Sequence, residues 1–179
     1  MSEQDPNSSV APDDPGRHLT AVHPDDPDLL HVGVVSDTYT VLVSAQDTAG
    51  RYALLDMLIP PGGGPPPHRH DFEEMFHVLD GEVVVTFRDR RVVATTAMTV
   101  NIPARAPHHF TNESDRDARL LCMVSPAGLE EYFAAFGDPL PTRTSPAPKL
   151  STDELQRRIT DAAPLAQRYG IENLPPQSA

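Results

Sequence analysis

Several features that would indicate particular protein classes are missing from the sequence or scarce in it. It has no Trp and one cysteine, Cys122, so an intramolecular disulfide is excluded. No apolar run approaches the roughly 20 residues of a membrane-spanning helix, and the first residues lack the basic and apolar regions of a signal peptide. Only 14 basic side chains stand against 26 acidic ones. We therefore expect a cytoplasmic protein that binds neither nucleic acid, whose phosphates require a basic surface, nor a membrane.

The first 28 residues differ in composition from the rest of the 179-residue chain. They hold five prolines, and their seven acidic residues against Arg17 alone give a charge of −6, half of the total of −12. A segment of this kind buries too little apolar surface to offset the entropy lost on ordering. We therefore predict a disordered arm over residues 1–28.

Residues 29–125 alternate between apolar and polar positions with a period of two, which predicts an all-β domain. The Asp80-Gly81 pair suits a two-residue turn and predicts a hairpin between the strands on either side of it. So many short strands must close a barrel or pack as two sheets, and this favours a jelly roll. The candidate strands are Leu30–Val35, Tyr39–Ser44, Tyr52–Ile59, Met75–Leu79, Glu82–Phe87, Arg91–Thr96, Thr99–Ile102, His108–Asn112 and Ala118–Val124.

Residues 126–179 change to a helical period and form a predicted C-terminal extension. A first helix should begin at the Ser125-Pro126 cap and end at Gly137 in the left-handed conformation. A proline-rich strap follows over residues 138–150. Ser151 and Glu154 then make a capping box for a second helix, which Pro164 should break or restart.

The segment from Gly62 to Glu74 contains a spacing typical of metal ligands. His68 and His70 are two residues apart, so on an extended chain they point to one face about 6.6 Å apart. Glu74 follows four residues later, and His108 lies about forty residues further on. Three imidazoles and a carboxylate suit a divalent transition metal better than Ca²⁺ or Mg²⁺, which prefer oxygen ligands.

At these residues the sequence resembles the cupin superfamily, whose first motif is G-x5-H-x-H-x3,4-E-x6-G and whose second is G-x5-P-x-G-x2-H-x3-N. The resemblance implies a jelly-roll barrel and one bound divalent ion per chain, from Mn, Fe, Co, Ni, Cu or Zn. Ala97 and Arg105 stand where the family has glycine. The first motif is matched by Gly62, His68, His70, Glu74 and Gly81, and the second by Pro103, His108 and Asn112. By resemblance, the metal ligands are His68, His70, Glu74 and His108.

Neighbouring residues leave alternatives open. Glu73 is a second candidate for the carboxylate ligand. His77 and His109 fall on the opposite strand face and are interpreted as surface or interlayer residues. Cys122 lies among apolar residues, as an inert core thiol would.

Three further residues are candidates for a substrate pocket. Phe76 and Phe110 alternate in phase with the ligands, so they should line the barrel interior, by core packing or by stacking on a substrate. Arg105 could reach over the pocket mouth to a substrate carboxylate or phenolate, or could face solvent as loop arginines do.

The single barrel and its flanking motifs are similar to the small quercetinase-like monocupins. This resemblance implies a metal-dependent dioxygenase that acts on a small, flavonol-like enol or phenol. Glu74 would both hold the ion and act as the catalytic base, since an apolar wall raises the basicity of a carboxylate. The alternatives are a metal-dependent isomerase, cyclase or decarboxylase that uses no O2, and a non-catalytic small-molecule-binding protein. We also expect a homodimer, which would cover the edge of the strand at Leu30–Val35.

Overall fold

The computed structural model describes residues 10–175, which fold into two antiparallel β-sheets with three helices. All nine predicted strands are present, each within two residues of its predicted bounds at either end. Their alternating apolar residues form one core between the sheets, which includes Leu55, Phe76 and Leu120. The strands are β1 (His31–Val34), β2 (Asp37–Val43), β3 (Ala53–Ile59), β4 (His68–His70), β5 (Glu73–Asp80), β6 (Glu82–Phe87), β7 (Arg90–Thr95), β8 (Thr99–Ile102), β9 (His108–Thr111), β10 (Ala118–Ser125), β11 (Asp138–Pro139) and β12 (Ile171–Asn173). The helices are α1 (Ala45–Thr48), α2 (Leu129–Phe136) and α3 (Thr152–Arg168).

The two sheets face each other as a jelly roll, which confirms the predicted fold class. The seven-stranded sheet has the order β11-β1-β2-β3-β10-β5-β8, and the five-stranded sheet has the order β12-β4-β9-β6-β7. β4 and β5 are consecutive in the chain but lie in different sheets. The segment around His70 therefore crosses from one sheet to the other, so His68 and His70 lie in the five-stranded sheet and Glu74 in the seven-stranded one.

The prediction of a hairpin at Asp80-Gly81 was wrong, because β5 and β6 lie in different sheets. β5 is paired on both sides, by β10 and β8, and β6 is paired by β9 and β7, so neither strand has an edge left for the other. Gly81 instead lies at a turn between the sheets, with φ of 75°. A Cβ there would come within 2.9 Å of the Ala118 Cα, so this turn needs glycine both for its backbone angle and for its close packing.

Helix α2 follows the barrel, as predicted, but its two ends differ from the prediction. It starts after Gly128 rather than at Ser125, because the buried Glu130 carboxylate accepts the Gly128 N–H at 2.9 Å. Gly137 has φ of −77° and is not left-handed. Glycine is needed there for space, since a Cβ would lie 2.3 Å from the Val32 Cγ2.

Helix α3 begins at the predicted capping box of Ser151 and Glu154. The break predicted at Pro164 does not occur, and the helix continues through it to Arg168. Pro164 and Thr160 are both exposed, so the carbonyl that loses its hydrogen-bond donor four residues before the proline can bind water instead. None of the helices within residues 10–175 combines the length and the apolar character needed to cross a bilayer.

The segment before β1 runs along the barrel without strand or helix in its described part, residues 10–28. The Thr20 hydroxyl donates to the Asp47 carboxylate at 2.9 Å, and Asp25 forms an ion pair with Arg143 of the strap. Residues 1–9 of the predicted arm lie outside the described residues. β11 pairs with β1 at Val32 and Gly33 and covers the edge on which the homodimer prediction was based, so a dimer would have to use another edge.

Candidate metal centre

Three strands from both sheets bring the four predicted ligands together. β4 supplies His68 and His70, and it pairs with β9 so that His68 lies opposite His108. β5 supplies Glu74 from the other sheet. One ligand atom from each of the four residues lies within 4.8 Å of the other three. His70, Glu74 and His108 are at most 5% exposed, so the cluster lies inside the barrel.

The orientation of the three imidazoles is fixed by the backbone. In His68, His70 and His108, Nδ1 lies 2.9 Å from the carbonyl oxygen of a residue two positions away, which is Pro66, Phe72 and Ala106 respectively. A carbonyl can only accept a hydrogen bond, so each Nδ1 carries the proton. In a neutral ring the Nε2 lone pair is then free, and this is the arrangement in which a metal-binding histidine is held by its surroundings.

The Nε2 atoms of His70 and His108 each lie 3.1 Å from the same oxygen of Glu74, Oε2. With Nδ1 protonated, neutral rings would turn their lone pairs toward a carboxylate oxygen that also only accepts. The contact is favourable only if positive charge lies between these atoms, either as two additional protons or as one cation. The cluster is therefore able to bind a metal, and its nitrogen and oxygen donors suit a divalent transition ion.

Burial acts on the protonation of the cluster. It lowers the pKa of His68 to about 4, with a further contribution from the neighbouring His108, so His68 is neutral and able to act as a ligand at neutral pH. Burial raises the pKa of Glu74, but when Nε2 of His108 and of His70 is also protonated, the hydrogen bonds from these charged rings outweigh burial and hold the pKa well below its usual value. This direction is opposite to the raised basicity expected from the apolar neighbours of Glu74, because the imidazoles act more strongly than the apolar wall.

A cavity of about 90 Å³ adjoins the cluster and is lined by His68, His70 and Glu74. Phe76 and Phe110 form part of its wall and pack edge to face, with ring centroids 5.2 Å apart. Tyr132 and Phe133 of α2 and Ile159 of α3 close the opposite side. The C-terminal helices therefore form an apolar cover over the open side of the cluster.

Arg105 lies outside this cavity lining. Its Nε donates to Asp71 at 2.6 Å and 79% of its side chain is exposed, while its backbone N–H donates to the His70 carbonyl at 2.7 Å. Arg105 and Ala97 have φ of 71° and 69°, so both positions keep the left-handed conformation that glycine provides in the family motif. For a residue with a Cβ, that conformation costs roughly 1–2 kcal/mol.

The other four candidate residues lie around the cluster and are not part of it. Glu73 points away from the cluster and accepts from the Ala104 N–H at 3.1 Å. His77 lies on the outer face, with Nδ1 2.9 Å from the Thr99 hydroxyl, and His109 is half-buried outside the cluster. Cys122 is buried, but it is also part of the site's surroundings, since its Sγ lies 3.5 Å from Glu74 Oε1.

Two residues of β2 near the cavity were missed in the sequence. Tyr39 lines the cavity, and its hydroxyl donates to the fully buried carboxylate of Asp37 at 3.0 Å. Their spacing of two, in phase with Val41, places them on the inner face of the strand. That pattern was available in the sequence and was the signal that could have identified them.

Comparisons with known proteins agree with this geometry. A family model described as a cupin domain matches residues 55–124. Quercetin 2,3-dioxygenase from Bacillus subtilis (strain 168) is 25% identical over 138 residues, which cover 76% of this chain and only 40% of that protein. The chain thus aligns with about two-fifths of the length of this curated relative.

Solved structures show the same fold at low identity. The polyketide cyclase RemF from Streptomyces resistomycificus superposes with a TM-score of 0.55 at 24% identity, over 78% of this chain and 92% of that one. A predicted oxalate decarboxylase from Thermotoga maritima superposes with a TM-score of 0.54 at 18% identity, over 59% and 98% of the two chains. At these identities the likeness establishes a shared fold.

Proposed function

Because this chain belongs to the cupin superfamily, we propose that His68, His70, Glu74 and His108 hold one divalent transition-metal ion in an enzyme. The reaction we propose is oxidative cleavage of a small enol or phenol by O2. The observation that carries the proposal is the inward-facing set of acceptors, three Nε2 atoms and a carboxylate, in a buried pocket. Without positive charge at its centre such a set would repel itself.

The chemistry that this proposal requires can be divided between the ion and the chain. A bound divalent ion supplies Lewis acidity toward a substrate oxygen and a template for its orientation. Glu74 supplies the negative charge of the ligand set, and the backbone carbonyls that hold each Nδ1 keep the imidazoles in place. Phe76 and Phe110 exclude water, which strengthens electrostatic interactions at the site.

The cavity limits the size of the substrate. A volume of about 90 Å³ lies well below the roughly 300–1,000 Å³ typical of sites for drug-sized ligands. A three-ring flavonol does not fit unless α2 and α3 move outward. We therefore propose a smaller substrate, with one ring or an open-chain enediol, whose apolar part contacts the aromatic wall. The quercetin dioxygenase likeness supports the reaction class and leaves the substrate open.

Oxygen uptake tests this function directly. Metal-free protein is loaded separately with Mn, Fe, Co, Ni, Cu or Zn and supplied with catechol, a small enediol or quercetin in an oxygen electrode. We expect uptake with a small substrate and at least one metal, retained in His77→Ala and lost in His108→Ala, since only His108 belongs to the cluster. Turnover of the same substrates without O2 would instead support the isomerase, cyclase or decarboxylase alternative. Stoichiometric metal without any turnover would support a binding protein.

A further inference from the structure

Asp37 is a buried carboxylate held by neutral groups. It is fully buried at the start of β2, where Oδ2 accepts from the Tyr39 hydroxyl at 3.0 Å and Oδ1 from the Gly64 N–H at 3.2 Å. An asparagine has one acceptor oxygen and an NH2 group that only donates, so it could accept only one of these two hydrogen bonds. Asp37 is thus a buried ionisable group that accepts hydrogen bonds on both oxygens, and neither of these two donors carries a charge.

The chain also leaves space for this carboxylate beside the candidate metal centre. A Cβ on Gly63 would lie 2.3 Å from Asp37 Oδ1, so the glycine turn that leads to the ligand strand β4 is shaped around Asp37. Tyr39 lines the cavity together with His70 and Glu74, whereas Asp37 does not. The hydrogen bond between Tyr39 and Asp37 thus connects a cavity-lining residue to a buried carboxylate.

The charges around the pair favour proton exchange near neutral pH. Burial raises the pKa of Asp37 to about 7, although hydrogen bonds from Tyr39 and Gly64 act against it. Burial also raises the pKa of Tyr39, and the other groups that act on it, Asp37, Cys122 and Glu74, are all acidic. Tyr39 therefore does not hold a negative charge by itself, but Asp37 can gain or lose a proton at physiological pH.

We propose that Tyr39 is a catalytic residue that accepts the hydroxyl proton of the substrate while passing its own proton to Asp37. The substrate O–H bond breaks and a new O–H bond forms on Tyr39. The original phenolic proton moves along the hydrogen bond to Asp37 Oδ2. The substrate becomes an enolate or phenolate, Asp37 becomes a neutral carboxylic acid and Tyr39 ends unchanged. This inference rests on the proposed function, because it assumes an enol or phenol substrate.

We call this proton transfer from the substrate through Tyr39 to Asp37 the relay. Proton release on binding of a substrate analogue tests the relay independently of turnover. The Zn-loaded protein, which is redox-inert, binds 4-nitrocatechol at about pH 8, above the pKa of Asp37. Protons released to the solvent are counted by calorimetry in buffers of different ionisation enthalpy, and the probe's visible spectrum reports its deprotonation. We expect the wild-type protein to release about one proton fewer per bound probe than Asp37→Asn or Tyr39→Phe. Tyr52→Phe, which removes a hydroxyl from an exposed tyrosine outside the cavity lining, should match the wild type.

The possible results distinguish this inference from the function on which it rests. Equal proton release from the wild type, Tyr39→Phe and Asp37→Asn, with the probe bound and deprotonated in all three, would overturn the relay and leave the proposed function intact. Failure of Zn-loaded wild-type protein to bind the probe would contradict the proposed substrate class, and the relay with it. Tyr39→Phe retains the ring that packs on Phe133 at 4.7 Å, so one variant is available even if Asp37→Asn does not fold.

Discussion

Asn112 joins three segments that lead to the candidate metal centre, and its replacement should destabilise the barrel strongly. It is fully buried, and its Nδ2 donates to the carbonyls of Ile59 at 2.9 Å and Arg116 at 2.7 Å. Its Oδ1 accepts from the N–H of Ser114 at 3.0 Å and from the Ser114 hydroxyl at 2.7 Å. Its main chain bonds the turn at Gly62 and Gly63. This position of the second motif therefore acts in stability rather than as a ligand.

The expected cost of Asn112→Ala follows from these four side-chain hydrogen bonds. Each intramolecular bond contributes about 1 kcal/mol net, and a buried acceptor left without a donor costs about 1–3 kcal/mol. The Ile59 carbonyl lies in a fully buried residue and would lose one of its donors. We therefore expect the free energy of unfolding to fall by about 3–5 kcal/mol, which lowers the urea midpoint by at least about 1 M.

Urea unfolding of chelator-treated protein, followed by circular dichroism, measures this effect without a contribution from bound metal. The matched control is Asn101→Ala, because Asn101 makes one exposed hydrogen bond of 3.3 Å to Glu73. That variant should change the free energy of unfolding by less than about 0.5 kcal/mol. If the two variants had the same midpoint, the structural role assigned to Asn112 would be refuted.

Three other predictions concern stability and assembly. Between about pH 4 and pH 7, Asp37 keeps its proton in the folded protein but has lost it in the unfolded chain. The free energy of unfolding should therefore fall as the pH rises, by up to about 4 kcal/mol. The urea midpoint of Asp37→Asn should lack this dependence on pH. Ala97→Gly should raise the free energy of unfolding by about 0.5–1 kcal/mol by relieving the left-handed backbone, whereas Ala94→Gly in β7 should lower it. We also propose a homodimer through the edge of β7, where Val92 and Val93 are 38% and 52% exposed; sedimentation as a monomer at micromolar concentration would contradict it.

The strands were predictable because their residues alternate with the period of a half-buried sheet. β11 and β12 were not, since two or three residues are too few to show a period and their pairing depends on distant partners. β4 was predicted only as an extended segment, from the spacing of His68 and His70. The Asp80-Gly81 turn shows that local turn chemistry does not determine which strands pair. Local turn chemistry indicated a hairpin, but the pairing of β5 and β6 was decided by which edges other strands had already occupied.

The spacing of His68 and His70 predicted that these two side chains share a face, and the resemblance to the cupin motifs implied Glu74 and His108 as their partners. The structure brings all four together. The sequence could not predict the pKa of Glu74, which depends on hydrogen bonds from residues that approach only in the fold. The same holds for Arg105, whose side chain pairs with Asp71 across the turn. Cavity size likewise depends on how closely α2 and α3 pack on the barrel.

Metal content per chain is the most direct test of the central claim, that these four side chains hold a metal ion. Elemental analysis of purified protein should find about one divalent transition ion per chain. His70→Ala and His108→Ala should each lose most of it, whereas His77→Ala, whose ring lies on the outer face, should retain it. Stoichiometric metal in both cluster variants, or none in the wild-type protein after incubation with each candidate ion, would contradict the assignment.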